Sequence, residues 1–301
     1  LIYQVRHRTT YAYETEVTFA RCVLRLTPRS SASQTVMETR LSVAPEPTTA
    51  FERLGPFGEL ATTVVIETPH QALVIEAGAR VEVHSPPSRL DFADPWEGVR
   101  VQALRAADLG REGPASFIYP SARAPLTPAI TEYARASFPP GRGIVEAATE
   151  LMGRMRREFS YDPEATDVST KPLAAFEARR GVCQDFAHIM ICGLRGLGLP
   201  ARYVSGFLRT YPPPGRPRLE GADATHAWVC LWCGEAAGWI GFDPTNNILA
   251  QDEHIVLASG RDYADVAPID GIILAPGKQT LEVEVDVVPE SEPAPPRLVF
   301  G

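Results

Sequence analysis

The sequence lacks a basic surplus: 29 Lys and Arg stand against 37 Asp and Glu, a net charge of −8. That balance argues against a nucleic-acid binder, whose cationic face must neutralise phosphates, while leaving room for a local basic patch. Also missing is any apolar run near the roughly 18 residues that a membrane-spanning helix needs. Leu1-Ile2-Tyr3-Gln4-Val5-Arg6 reads as a strand rather than a secretory leader. Cysteine is scarce, with five residues at irregular spacing. The odd count argues against a full disulfide framework and fits a reducing, cytoplasmic setting. Metal signatures are missing too. Asp262, Asp265 and Asp270 lack EF-hand spacing, and Cys230-Leu231-Trp232-Cys233 has no second pair to complete a zinc site. No metal, cofactor, nucleic-acid partner or membrane partner is therefore expected, and the oligomeric state is left open.

What is present is an ordinary globular composition, 45% apolar and 22% charged, over 301 residues, enough for two domains. Proline is abundant at 28 residues, which favours sharp loops and extended segments over a helical bundle. Residues 1–90 alternate in short β-branched runs, among them Ile2–Arg6, Cys22–Leu26, Met37–Val43, Thr62–Ile66 and Arg80–His84. Turn-rich pieces divide them, so the expectation is an antiparallel β-sandwich-like domain. His7, His70 and His84 fall in this region and read as solvated or hydrogen-bonded rather than catalytic. A proline-rich joint at Ser85-Pro86-Pro87 and Asp94-Pro95-Trp96 opens a linker over 91–126. The pattern then turns helical over 127–275, starting with Thr127 as cap and Pro128 in the first turn. Thr280–Val288 alternates like a last strand within 276–301, and the proline- and glutamate-rich stretch from Pro289 reads as a mobile tail.

The chain turns on Gly181-Val182-Cys183-Gln184-Asp185-Phe186. Phe186, Ala187, Met190, Leu194 and Leu197 form a buried helical stripe, so a helix is predicted to begin at Val182 or Cys183. A helix start offers unpaired N–H groups and the positive end of the macrodipole, surroundings that stabilise a thiolate or a developing oxyanion. Downstream, Thr225–Cys233 and Gly238–Asp243 read as strands joined by a Gly234-Glu235 turn, which sets His226 opposite Asp243. Including Ala236-Ala237 in the loop would shift that register by a pair. A thiol becomes a nucleophile when an imidazole takes its proton and a carboxylate fixes the imidazole. Cys183, His226 and Asp243 supply those roles in that order. Several rivals read differently. His188 sits about 140° round the helix from Cys183, Cys192 belongs to the core, and Cys230 and Cys233 are structural. The Tyr211–Pro217 loop is either a substrate-facing lid or a plain surface excursion.

These blocks carry a resemblance. Gly-Val-Cys-Gln-Asp-Phe-Ala-His at 181–188, Leu-Gly-Leu-Pro-Ala-Arg-Tyr-Val-Ser-Gly at 197–206, Ala-Asp-Ala-Thr-His-Ala-Trp-Val at 222–229 and Gly-Trp-Ile-Gly-Phe-Asp-Pro-Thr-Asn at 238–246 resemble those of bacterial transglutaminase-like cysteine proteins. The strand-rich N-terminal region and the Gly-Arg-Asp-Tyr-Ala-Asp-Val segment are similar to that family as well. The resemblance implies an α+β protein. Its papain-like, transglutaminase-like core would pack a helix bearing Cys183 on an antiparallel sheet bearing His226 and Asp243. It also implies Cys183 as nucleophile, His226 as base and Asp243 as orienting carboxylate, acting on a peptide, protein or other amide. The family spans cross-linkers, proteases, amidases and members of no settled activity, so hydrolysis and transamidation stay open. A silent binding or scaffolding module is the alternative. For the oxyanion the candidates are the Cys183 backbone N–H, Gln184 and the Tyr161 hydroxyl; for the walls of an acyl channel, Trp228 and Trp239.

Overall fold

The computed structural model describes residues 1–84, 94–211, 223–274 and 277–292. Three expectations fall outside them: the Ser85-Pro86-Pro87 joint, the loop from Pro212 to Pro217 and the tail from residue 293. Six strands come first: β1 (Ile2–Val17), β2 (Phe19–Leu24), β3 (Gln34–Ala44), β4 (Thr49–Leu54), β5 (Leu60–Ile66) and β6 (His70–Val83). Four helices follow, α1 (Trp96–Arg105), α2 (Pro128–Arg135), α3 (Ile144–Glu158) and α4 (Pro172–Ala178), with the two-residue strands β7 (Ser160–Tyr161) and β8 (Arg180–Gly181) on either side of α4. Then come α5 (Cys183–Gly196), β9 (Ala201–Leu208), β10 (Ala224–Trp232), β11 (Trp239–Asp243), β12 (Ile248–Leu249), β13 (His254–Gly260) and the single turn α6 (Tyr263–Val266). The chain closes with β14 (Ile269–Leu274) and β15 (Gln279–Pro289). None of the described helices is long and apolar enough to cross a membrane.

The N-terminal strands form two antiparallel sheets, β15-β1-β6-β3 and β14-β2-β5-β4. Alternating side chains of β1, β2, β5 and β6, including Tyr13, Val17, Leu24, Val64, Ile66, Leu73 and Ile75, fill the layer between them. The last two strands thus return to the first domain. This corrects the expected boundaries: β14 leaves the 127–275 core to pair with β2, with Ile269 opposite Leu24. β15 runs along β1 from Tyr3–Pro289 to Tyr13–Gln279. The expected linker is corrected as well. Trp96, Val99 and Ala103 of α1, with Ile118 and Ala124, are buried in the same cluster as α3 and α5, so 94–126 belongs to the core.

In that core, α5 packs on β9 and β10 of a five-stranded antiparallel sheet ordered β12-β11-β10-β9-β13. The expected two-residue turn at Gly234-Glu235 does not form. Trp232 pairs with Trp239, and residues 233–238 make a wider loop closed by Cys233 N–H to the Gly238 carbonyl at 2.8 Å. The register moves by two residues, and an even shift keeps His226 and Asp243 on one face of the sheet. Thr127 does sit at the N-cap of α2, but its hydroxyl donates to the Pro125 carbonyl and caps nothing. The two units meet where Phe207, Ile255 and Leu257 pack against Tyr3, Val5, Val81, Val285 and Val287.

Candidate active site

The approach to Cys183 is built from the turn after α4. Arg179 takes a left-handed φ of 55° there. Its guanidinium lies over the rings of Phe176, Phe159 and Tyr133 at 4.4, 4.7 and 5.0 Å. That stack anchors a conformation few non-glycine residues adopt. The chain then pairs Gly181 with Tyr161 in a short parallel bridge and enters α5 at Cys183, with Val182 as N-cap. Asp185 holds the helix start: its carboxylate accepts from the Val182 N–H at 2.8 Å and from the Thr166 hydroxyl at 2.6 Å. A side chain at 181 would place its Cβ 2.6 Å from that carboxylate, which is why glycine stands there. The first intrahelical bonds run from Asp185 and Phe186 to the Val182 carbonyl, so the amides of Cys183 and Gln184 precede them and remain available to an oxyanion.

His226 and Asp243 arrive from β10 and β11. His226 Nε2 lies 2.8 Å from Asp243 Oδ2, and Cys183 is near enough to raise the pKa of the imidazole. Because Nε2 is committed to the carboxylate, Nδ1 is the nitrogen left for the sulfur. Burial by itself would lower the His226 pKa, but the bond to Asp243, the nearness of Cys183 and the charges of both raise it to about 10. These interactions favour the charged, imidazolium form. Asp243 is fully buried, and burial would raise its pKa; the hydrogen bonds from His226 and His254, the His226 charge and the bond from Asn246 hold it well below the usual carboxylate range instead. Five donors converge on this one carboxylate. Oδ2 accepts from His226, from Asn246 Nδ2 at 2.8 Å and from His254 Nε2 at 3.3 Å. Oδ1 accepts from the Thr245 and Asn246 amides at 3.0 and 3.2 Å.

The structure thus brings Cys183, His226 and Asp243 together and adds partners that reading the sequence missed. His254 came from the start of β13, two strands from β10, beyond any pairing of adjacent strands. The available signal was its place beside the apolar run Ile255-Val256-Leu257. Asn246 was legible in principle from the Asp-Pro-Thr-Asn turn. Tyr203, fully buried, has its pKa raised well above the ordinary value, by burial first and then by the Cys183 charge.

The two tryptophans correct an expectation. Trp228 is 1% exposed and walls no channel; its indole lies beneath both histidines, stacked on His226 at 6.2 Å and edge-on to His254 at 5.0 Å. Gly206 makes room for it, since a Cβ there would lie 2.6 Å from its ring. Trp239 sits at the far end of β11, opposite Trp232. It donates to the Glu112 carbonyl at 2.9 Å and packs on Phe117 and Arg202, away from the triad.

Tyr161 is exposed, and its pKa is raised by burial of part of the ring and then by the Cys183 charge, which places its hydroxyl within electrostatic reach of the sulfur. The Gln184 side chain instead donates to the Val168 carbonyl at 3.3 Å. His188 is buried and neutral, its pKa lowered to about 4 mainly by burial, and its Nε2 accepts from the Tyr263 N–H at 3.2 Å. It ties α5 to α6 and serves no thiol. Cys192 is buried in the helix core, where burial pushes its thiol up to about 12. Burial also pushes up Cys230 and Cys233, the reverse of what a redox pair needs. Among the described residues, His226, Asp243 and His254 form a group able to hold a metal ion, their ligand atoms within 4.8 Å of one another. A metal there would displace the Nε2–H···O bonds that orient His226, so the arrangement fits a hydrogen-bonded triad better than a resident metal.

Comparison with known proteins gives the same frame. The pattern for the "Bacterial transglutaminase-like N-terminal region" matches residues 3–82, and that for the "Transglutaminase-like superfamily" matches residues 131–244. An uncharacterized protein of Mycobacterium tuberculosis is 39% identical over 295 residues, covering 95% of this chain and 92% of that one. A protein-glutamine gamma-glutamyltransferase of Pseudomonas aeruginosa is 28% identical over 150 residues, 48% of this chain and 22% of that protein. The crystal structure of "a Putative Cysteine Protease from Cytophaga hutchinsonii" superposes with a TM-score of 0.73 at 20% identity, covering 98% of this chain and 92% of that one, a likeness of fold.

Proposed function

The chain belongs to the bacterial transglutaminase-like proteins of the transglutaminase-like superfamily, and from that premise we propose that it transfers an acyl group from an amide through a thioester on Cys183. The observation that carries this reading is His226, bonded through Nε2 to Asp243 at 2.8 Å, with its pKa raised in part by Cys183. Cys183 Sγ attacks the carbonyl carbon of the amide. The oxyanion that forms is met by the Cys183 amide, with the Gln184 amide and the Tyr161 hydroxyl as further donors. His226 then gives its proton to the departing amine, the C–N bond breaks, and the acyl group remains on sulfur. In the second half His226 takes a proton from the incoming acceptor, which attacks the thioester and frees Cys183.

Water as acceptor gives hydrolysis, and an amine gives transamidation. Hydrolysis is our reading, because it requires no second binding groove. The name borne by the Pseudomonas relative makes glutaminyl donors the right probe for the other arm. All five cysteines are unpaired, as a reducing compartment would leave them, so we place it in the cytoplasm; fractionation of cells expressing the chain tests that.

The test is release of ammonia or peptide amine from glutaminyl and peptide substrates, with and without added amine. Wild type should turn over. Cys183→Ala should fall by about 10⁴-fold or more, as the loss of a nucleophile does in comparable triads. No covalent adduct on Cys183 from any acyl donor, with equal iodoacetamide labelling in wild type and His226→Ala, would leave only the scaffolding alternative standing.

A further inference from the structure

We infer that His254 is a positioning residue of the triad: its Nε2–H holds the Asp243 carboxylate in the orientation that binds His226 through Nε2 and leaves Nδ1 to the Cys183 sulfur. The inference rests on the acyl-transfer reading and adds to it a residue that touches neither substrate nor sulfur.

Four observations converge on it. First, an ionised carboxylate only accepts hydrogen bonds, so both ring nitrogens facing Asp243 Oδ2, His226 Nε2 at 2.8 Å and His254 Nε2 at 3.3 Å, must carry hydrogen. Second, the bond to Asp243 is the polar contact that His254 makes. Its Nδ1 is buried with no partner, and the residue is 5% exposed, its ring packed edge-on against Trp228. Packing alone would be served better by an aliphatic side chain, as at Ile255 and Leu257 of the same strand. Third, the two imidazoles share one floor, the Trp228 indole, admitted by Gly206 of β9. Ring, floor and carboxylate therefore form one block across the face of the sheet.

Fourth, the strand that carries His254 is fixed from outside the core. β13 is a sheet edge, and two residues past His254 the Gln34 side chain of the N-terminal domain pairs with it as a strand would. Gln34 Nε2 donates to the Val256 carbonyl at 2.8 Å, and its Oε1 accepts from the Val256 N–H at 2.8 Å. The N-terminal domain thereby sets the position from which His254 reaches Asp243.

The experiment has a spectroscopic arm and a chemical arm. In wild type labelled with ¹⁵N-histidine, the imidazole shifts and couplings should show His254 with hydrogen on Nε2; the tautomer with hydrogen on Nδ1 alone would overturn the inference whether or not any variant folds. In the chemical arm, the iodoacetamide labelling rate of Cys183 is followed by peptide mass mapping at neutral pH. His254→Leu, which fills the space without a donor, should slow labelling about 10- to 100-fold, the range typical of outer partners that orient site residues. His254→Gln, which returns an N–H near the Nε2 position, should bring it to within about threefold of wild type. Labelling of His254→Leu at the wild-type rate would sink the proposal. His226→Ala separates the two levels: if it too labels like wild type, the acyl-transfer reading falls; if it slows while His254→Leu does not, only the role of His254 falls.

Discussion

At Asp243 the fold concentrates its charge chemistry, and the direction of each shift fixes a pH dependence. His226 is raised to about 10, so its contribution to stability is fully present below the unfolded value of about 6.5 and is lost as pH rises through about 10. Asp243 is depressed, so its contribution is present above the unfolded value of about 3.9 and is lost only as pH falls through its lower folded value. Stability from the pair is therefore expected to decline between pH 7 and 10. Urea midpoints across that range should fall in wild type and lose this component in His226→Gln; parallel curves would contradict the assignment. Gly206 gives a second prediction at this scale. A Cβ there would lie 2.1 Å from the Ile255 carbonyl oxygen and 2.6 Å from the Trp228 ring. Because one of those atoms is backbone, Gly206→Ala should cost about 1–3 kcal/mol, as overpacked sites do, and should slow iodoacetamide labelling of Cys183 by displacing the floor under His226. Cys183, His226 and Asp243 were legible because helix start and strand parity are local properties of sequence. His254 was not, because the contact that matters joins β13 to β11 across two intervening strands and leaves no periodic trace.

Among the elements, β13 shows how much a single side chain can brace. Gln34 is 1% exposed and makes both bonds to Val256 as well as a third, at 2.9 Å, to the Arg29 carbonyl. Gln34→Ala should cost about 1–3 kcal/mol, the penalty for leaving buried backbone groups unpaired. Urea unfolding measures it, and a loss below about 0.5 kcal/mol would mean that water replaces the amide at no cost. Sequence reading succeeded for elements whose ends carry their own chemistry: α5 begins at Cys183 as its apolar stripe and the preceding glycine require. It left the 233–238 loop as one of two registers, because Gly234-Glu235 satisfies a two-residue turn locally, while closure through Gly238 is decided by the ladder. β4 left little to read, since all six of its residues are exposed and show no alternation.

For the whole molecule, the deciding fact is that the first domain is made from segments on either side of the core. Val285 and Val287 of β15 are buried against Tyr3, Val5 and Val81, and also against Phe207 and Ile255 of the core sheet. Val287→Ala should cost about 2 kcal/mol, the transfer of two methyl groups plus an incompletely closed cavity, and a single cooperative thermal transition should shift as a unit. Two separated transitions would show that the sheets and the core unfold independently. The α+β class was legible from the change of periodicity near residue 127, but the domain boundaries were not. Pairing of β1 with β15 joins residues such as Tyr3 and Pro289, and no window of sequence reports a partner that remote.

The same pairing sets an order of events during synthesis. β1 leaves the ribosome before the core, and the strand that covers its outer edge leaves after it. At translation rates of about 5–20 residues per second the nascent chain holds that edge open for tens of seconds. The final seal on the first sheet is therefore made only when the core, and the thiol within it, has already been delivered.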